Sequence, residues 1–255
     1  MKLLVALCVL FTAQAWAKLE SKLIEYKEGD TVLEGYLVHD TKFKGARPAV
    51  LVVHAWMGLN DYAKRRANQL AELGYIAFAA DIYGKGVRPT SMEEAAKTSG
   101  SYKANNQLWR ARALAGLATL KAQKNVKQDK IAAIGYCFGG STVLEIARAG
   151  TKLNGVVSFH GNFATKMPAK EGEIQTKILA LHGANDPFIK KEEYDAFLTE
   201  MIGSKADWQM VSYSNTVHSF TELEAGNDPS KGFAYQAESD RRSWEAMKTF
   251  FKEIF

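Results

Sequence analysis

The segment "IAAIGYCFGG", residues 131–140, places a cysteine between two glycines at the end of an apolar run. The spacing Gly135-x-Cys137-x-Gly139 is that of a nucleophile elbow, a strained strand–turn–helix junction that exposes a reactive side chain. Glycines are needed there because strand and helix come so close that side chains would collide. The first N–H groups of the helix favour a thiolate. We therefore predict that Cys137 is a nucleophile; the alternative is a cysteine that merely packs between glycines.

A cysteine nucleophile needs a base, and the base needs an acid to orient it. Asp186 follows the apolar run "ILALHG", and His218 follows the run that ends at Tyr213. The chain order Cys137, Asp186, His218 is the nucleophile–acid–histidine order of α/β-hydrolases. Taken singly, Asp186 could cap a helix and His218 could be an ordinary loop histidine. Together with the elbow they predict a catalytic triad.

An acyl-transfer site also needs N–H groups that stabilise an oxyanion. The residue after the nucleophile supplies one donor, which is Phe138, and an upstream strand–helix loop supplies the other. The segment "VVHAWMGLN" lies where that loop is expected, so we predict the Trp56 N–H as the second donor, with Gly58 allowing the turn. For the Trp56 side chain, simple packing is the alternative. The candidate substrate contacts are Met57, Tyr83, Lys85 and Phe163.

The elements that must position these residues alternate along the chain. An initial "KLIEYKEGDTVLEGYLVHD" predicts an antiparallel hairpin, with strands near 22–27 and 31–39. Strands and helices then follow one another, ending in a helix over 237–253. This order predicts an α/β fold with a mostly parallel central sheet and helices on both faces. Since ligands bind at the carboxyl ends of such strands, the three triad residues should converge there.

The N-terminus, MKLLVALCVLFTAQAWA, has the order of a secretory signal peptide. Lys2 supplies the charge, residues 3–12 are apolar, and Ala15-Trp16-Ala17 matches a cleavage site. A buried N-terminal strand or helix is the alternative. We predict a signal peptide over residues 1–17, one domain over 18–255, and a periplasmic or secreted protein. Cleavage would remove Cys8 and leave Cys137 as the single thiol.

Composition restricts the kind of partner. Hydrophobic residues make up 47% of the chain and charged residues 24%, as in ordinary globular proteins. Basic and acidic residues are interspersed, so nothing predicts binding to nucleic acid or, after signal cleavage, to a membrane. The histidines at 39, 54, 160, 182 and 218 lack metal-ligand spacing, and we predict no metal and no cofactor. The expected partner is a small-molecule ester, bound by a monomer or small homo-oligomer.

These motifs, "VVHAWMGLN", "AADIYGKG", "GYCFGG", "LHGANDPF" and "VHSF", resemble those of the dienelactone hydrolase family. The resemblance covers about residues 20–255 and implies ester hydrolysis by a Cys–Asp–His triad. Two departures stand out. Ala55 occupies a position where family members often carry a glutamate, and Lys85 and Glu222 stand where dienelactone-specific enzymes use arginines. We therefore expect the hydrolase chemistry to be retained and the lactone specificity to differ.

The function predicted from the sequence is hydrolysis of small esters, lactones or thioesters through a thioacyl-enzyme at Cys137. Two alternatives remain open at this point. The first is a ligand-binding protein that keeps the pocket with reduced catalysis, since a fold does not determine function. The second is a thiol redox protein, which is weaker because no second cysteine could resolve the oxidised one.

Overall fold

A computed structural model describes residues 18–255, so the predicted signal peptide lies outside the described residues. The strands are β1 Leu19–Glu28, β2 Thr31–Asp40, β3 Arg47–Val53, β4 Ile76–Ala80, β5 Val126–Tyr136, β6 Gly155–Phe159, β7 Lys177–Gly183 and β8 Trp208–Tyr213. The α-helices are α1 Asp61–Glu72, α2 Met92–Ala104, α3 Asn106–Lys121, α4 Phe138–Arg148, α5 Lys191–Gly203 and α6 Ala237–Ile254. None of these helices is long and apolar enough to cross a membrane.

All eight strands form one sheet in the order β1-β2-β4-β3-β5-β6-β7-β8. The hairpin β1–β2 is antiparallel, and β2 also pairs antiparallel with β4. Every pair from β4 through β3 to β8 is parallel. The α/β prediction, including the antiparallel hairpin at one edge, is confirmed.

Helices cover both faces of the sheet because the central strands are apolar on both sides. In β3, Leu51 and Val53 belong to a core packed under α3, α4 and α5. Val50 and Val52 belong to a second core under α1 and α6. All four side chains are fully buried, and burying a side chain of this size contributes roughly 1.5–3 kcal/mol. The two cores hold the strand ends in a common register, and the loops at those ends carry the site.

Candidate active site

Cys137 sits at the sharp turn between β5 and α4. Its backbone has φ 52° and ψ −113°, a conformation that L-residues rarely adopt. A Cβ on Gly135 would collide with the carbonyl of Gly139, and a Cβ on Gly139 would collide with the carbonyl of Val53. The predicted steric reason for the two glycines is therefore the one observed. The elbow leaves the Cys137 side chain partly accessible in a cavity.

His160 holds this strained backbone in place. The Cys137 N–H donates to the carbonyl of Phe159 at 2.9 Å and to Nδ1 of His160 at 3.1 Å. Because Nδ1 accepts, the proton must be on Nε2, which donates to Thr221 Oγ1 at 2.7 Å. Burial, with the charge of His218 beside it, lowers the pKa of His160 well below its usual value. The ring is therefore neutral, and its role is to position the nucleophile.

His218 and Asp186 come together from two neighbouring loops. His218 Nδ1 donates to Asp186 Oδ2 at 2.7 Å, and both side chains are buried. Burial alone lowers the pKa of His218. The charge of Cys137 and the hydrogen bond with Asp186 outweigh burial and raise that pKa to about 10. His218 is thus held against a carboxylate in a setting that favours its positively charged form, and it lines the same cavity as Cys137.

The backbone fixes both loops. The N–H of Phe188 donates to Asp186 Oδ1 at 2.9 Å, which leaves the other carboxylate oxygen for His218. The His218 N–H donates to the carbonyl of Gly232 at 3.1 Å, and a bridge joins His218 to Phe233. The acid and the base are therefore held at the carboxyl ends of β7 and β8, as the sequence predicted.

The loop after β3 presents the predicted oxyanion donors. Among residues 18–255 the Trp56 N–H has no acceptor, and the Phe138 N–H, at the first position of α4, is free by helix geometry. The loop is locked by the turn from Gly58 N–H to Ala55 O at 3.1 Å, and by the Tyr83 hydroxyl, which donates to the Trp56 carbonyl at 3.0 Å. Trp56 and Phe138 line the same cavity as Cys137.

His54 adds a second lock on this loop. Its Nε2 accepts from the N–H of Ile82 at 3.1 Å, so Nδ1 carries the proton and donates to the Ala55 carbonyl at 2.7 Å. Burial lowers the pKa of His54 to about 4, although Asp81 and the bond to Ala55 oppose that shift. A neutral histidine thus ties the end of β4 to the oxyanion loop.

The cavity above Cys137 has a volume of about 760 Å³, within the range of small-molecule sites. Apolar and small side chains form most of its wall, and one face of α2 supplies a large share of them. The lining residues are Trp56, Met57, Asn60, Met92, Ala96, Ser99, Gly100, Lys103, Cys137, Phe138, Asn162, Phe188, His218, Ser219, Glu222, Glu224, Ala225 and Phe233. The contribution of α2 was missed from the sequence, although its residues 92, 96, 99, 100 and 103 share helical spacing.

Of the four predicted substrate contacts, only Met57 lines this cavity. Lys85 forms ion pairs with Glu25 and Glu34 of the hairpin instead, because those carboxylates lie closer to it. Tyr83 is buried under the oxyanion loop.

Phe163 points into the core, stacked on Phe197 with ring centroids 4.5 Å apart. Lys85, Tyr83 and Phe163 thus do not line this cavity, and their contact with substrate stays a prediction; the Tyr83 hydroxyl donates to the Trp56 carbonyl.

The fold and this arrangement define the chain as an α/β-hydrolase. The profile of the dienelactone hydrolase family matches residues 33–255, and the chain belongs to that family. The structure of P91, a dienelactone hydrolase-like promiscuous phosphotriesterase from metagenomic libraries, is 40% identical. It superposes with a TM-score of 0.88 over 93% of this chain and 99% of that one.

Two further relatives agree with the assignment. The structure of m3DLH, also 40% identical, superposes with a TM-score of 0.89 over 93% of this chain and 99% of that one. The carboxymethylenebutenolidase of Pseudomonas putida is 24% identical over 191 residues, 71% of this chain and 78% of that protein. The protein is accordingly a carboxylic ester hydrolase of the dienelactone hydrolase type.

Proposed function

We propose that this protein is an exported enzyme that hydrolyses small ester, lactone or thioester bonds through a thioacyl-enzyme at Cys137. The observation that carries the proposal is the position of His218, which hydrogen-bonds Asp186 at 2.7 Å and lines the same cavity as Cys137. The raised pKa of His218 favours an ion pair with the Cys137 thiolate as the resting state.

In the first half-reaction the Cys137 sulfur attacks the carbonyl carbon. The N–H groups of Trp56 and Phe138 stabilise the oxyanion. Protonated His218 gives its proton to the leaving alcohol or thiol as the C–O or C–S bond breaks. Neutral His218 then takes a proton from water, whose oxygen attacks the thioester, and Cys137 leaves as thiolate. Asp186 keeps the imidazole oriented and stabilises its charge throughout.

The first test is hydrolysis of short- and medium-chain p-nitrophenyl esters by residues 18–255 and by the Cys137→Ala variant. We expect turnover that the substitution abolishes, and an acyl adduct on Cys137 in rapidly quenched samples by mass spectrometry. An adduct on another residue, or equal activity in both proteins, would contradict the proposed nucleophile.

Phosphotriester hydrolysis is a second candidate activity, favoured by the 40% identity to P91 over nearly its whole length. The same sulfur would attack phosphorus and displace an aryloxide, and water would then release the phosphodiester. Diethyl p-nitrophenyl phosphate with the wild type and Cys137→Ala tests this directly. Release of nitrophenol that survives the substitution would mean that Cys137 is not the nucleophile for this reaction.

Export rests on the signal-peptide pattern of residues 1–17. Expression of the full chain in a bacterium, followed by cell fractionation and N-terminal sequencing, tests it. We expect the protein in the periplasm or medium with Lys18 as its first residue. An intact Met1 terminus in the cytoplasm would contradict export and leave the hydrolase proposal untouched.

A further inference from the structure

Glu222 lies four residues after His218 and lines the same cavity as Cys137. Its side chain is only 13% exposed. The oxygen Oε1 is screened from solvent and has no hydrogen-bond partner among residues 18–255. The ring of His160 comes within 4.0 Å of this oxygen, but its Nε2–H already donates to Thr221. Glu222 thus lines the cavity and carries a buried carboxylate oxygen that has no hydrogen-bond partner among the described residues.

No lysine or arginine of residues 18–255 is within ion-pair distance of Glu222. Arg66 attracts the Glu222 carboxylate only by its charge, without a direct contact. Its guanidinium group binds Asp240, the Tyr62 hydroxyl and the Thr221 carbonyl instead. Lys103, the one lysine or arginine among the residues that line the cavity, lies on α2 and donates to Asn162. The negative charge of Glu222 is thus uncompensated by any ion pair of its own.

Glu224 provides the contrast. It lines the same cavity two residues further on, but it is more than half exposed and pairs with Arg65. Its charge is therefore screened by solvent and by a partner, and it should contribute little to the field inside the cavity.

The buried position of Glu222 also changes the pKa of its carboxyl group. Burial raises the pKa of Glu222 to about 7, while the positive charge of His218 opposes that shift. Above that pH the group is a desolvated carboxylate. A ligand cation that enters the cavity would stabilise this charge strongly, because water does not.

We infer that the cavity selects esters that carry a quaternary ammonium or protonated amine, and that Glu222 is the residue that recognises the positive charge. Besides Phe138, the aromatic residues Trp56, Phe188 and Phe233 line the same cavity. Aromatic rings attract such cations through their faces, which is how quaternary ammonium groups are commonly bound. A substrate carboxylate on that side meets repulsion instead. The inference rests on the proposed ester hydrolysis, whose substrate class it names.

Paired esters of equal shape test the inference. Acetylcholine and 3,3-dimethylbutyl acetate differ in charge but hardly in volume. At pH 8.5 we expect the wild-type kcat/KM to favour the choline ester by about tenfold, in line with a cation held by aromatic rings and a carboxylate. Glu222→Gln should reduce the preference to below about threefold. The matched control Glu224→Gln should keep it, since Arg65 already neutralises that group.

The ratio of the two esters removes any general effect of Glu222→Gln on catalysis or folding, because both substrates share the acyl group and the nucleophile. A ratio near one in the wild type would overturn the inference. So would a tenfold preference that persists in Glu222→Gln.

A second measurement separates this inference from the proposed function. Choline and 3,3-dimethylbutan-1-ol are compared as protectants of Cys137 against iodoacetamide, with the modified fraction read by mass spectrometry. We expect choline to protect at a concentration about tenfold lower, and Glu222→Gln to remove the difference. If neither ester is hydrolysed but choline protects selectively, the hydrolase proposal fails and the charge preference stands. Equal protection by both compounds overturns the charge preference.

Discussion

At the scale of single residues, the site combines one charged histidine with two neutral ones. His218 is flanked by Cys137 and Asp186, so its charge is stabilised. His160 and His54 are buried without a carboxylate as hydrogen-bond partner and are held as neutral rings that orient backbone groups. The difference arises mainly from the negative charge of Cys137 and from Asp186 beside His218, because burial by itself lowers the pKa of all three.

The pKa of His218 should depend on the negative charge of Cys137. With a folded-state pKa raised to about 10, His218 stays protonated at pH 8, and its contribution to stability is lost as pH rises through about 10. We expect Cys137→Ala to lower this pKa, because the substitution removes the negative charge that raises it most. Side-chain ¹⁵N NMR titration of both proteins measures the shift. An unchanged pKa in Cys137→Ala would rule out the ion pair.

The hydrogen-bond chain behind the elbow gives a second prediction. Thr221 Oγ1 contacts both His160 Nε2, at 2.7 Å, and the Tyr62 hydroxyl, at 2.6 Å. Thr221→Val keeps the shape but leaves the His160 Nε2–H without an acceptor and the Tyr62 hydroxyl with Arg66 alone, so we expect a loss of about 1–3 kcal/mol in the free energy of unfolding. Thr221→Ser keeps the oxygen and is the control. Urea denaturation compares the two, and equal stability would show that the chain does not brace the elbow.

At the scale of elements, α2 acts as a wall of the substrate cavity. Met92, Ala96, Ser99, Gly100 and Lys103 face the cavity because they lie on one side of a helix. Three of these side chains are small, which leaves room beside Cys137. A Cβ built on Gly100 meets no heavy atom within 4 Å. The size of the acyl group that the enzyme accepts should therefore depend on this helix.

Gly100→Leu tests the role of this wall. The leucine projects into the cavity, so we expect kcat/KM for p-nitrophenyl octanoate to fall about tenfold relative to the acetate. Replacing a helical glycine should also stabilise the fold, by up to about 1 kcal/mol as measured with Gly100→Ala. The alanine variant is the size control and should keep most octanoate activity. A leucine variant with an unchanged chain-length profile would show that α2 does not limit the acyl group.

At the scale of the whole molecule, a buried ionic network joins the helices behind the elbow. Glu145 of α4 is fully buried and pairs with Arg110 of α3 and with Arg148, which in turn pairs with Glu200 of α5. Arg148 also donates to the carbonyl of Phe163 at 2.8 Å. Two carboxylates and two guanidinium groups balance, and the network ties three helices on one face of the sheet to the loop after β6.

Removing one charge from this network should be costly. Glu145→Gln leaves Arg110 without a carboxylate partner and Arg148 with Glu200 alone, and we expect a loss of about 3–5 kcal/mol in the free energy of unfolding. The exposed pair Lys191–Asp195 on α5 is the control, and Asp195→Asn should cost at most about 0.5 kcal/mol. Urea denaturation measures both variants. A loss from Glu145→Gln as small as that from Asp195→Asn would mean that water solvates the network.

Most of the fold could be predicted because its signals are local. Apolar runs such as "VLVV" in β3 and the glycine stops between elements depend on neighbouring residues alone. The elbow is also local, since Gly135 and Gly139 flank Cys137 within five positions. The order of Cys137, Asp186 and His218 could then be matched to strand ends, and the structure brings the three together.

The substrate contacts could not be predicted in this way, because they depend on which loop meets which helix in three dimensions. Lys85 follows a strand end, as a binding residue would, but it forms ion pairs with the hairpin carboxylates Glu25 and Glu34 and does not line the cavity. No sequence motif identifies the α2 residues as binding residues. They line the site only because the helix packs across it. The sequence by itself thus determined the elements and the order of the reactive groups. The tertiary structure alone decided the wall of the cavity and the unpaired carboxylate of Glu222, since pairing and burial arise from contacts between distant segments.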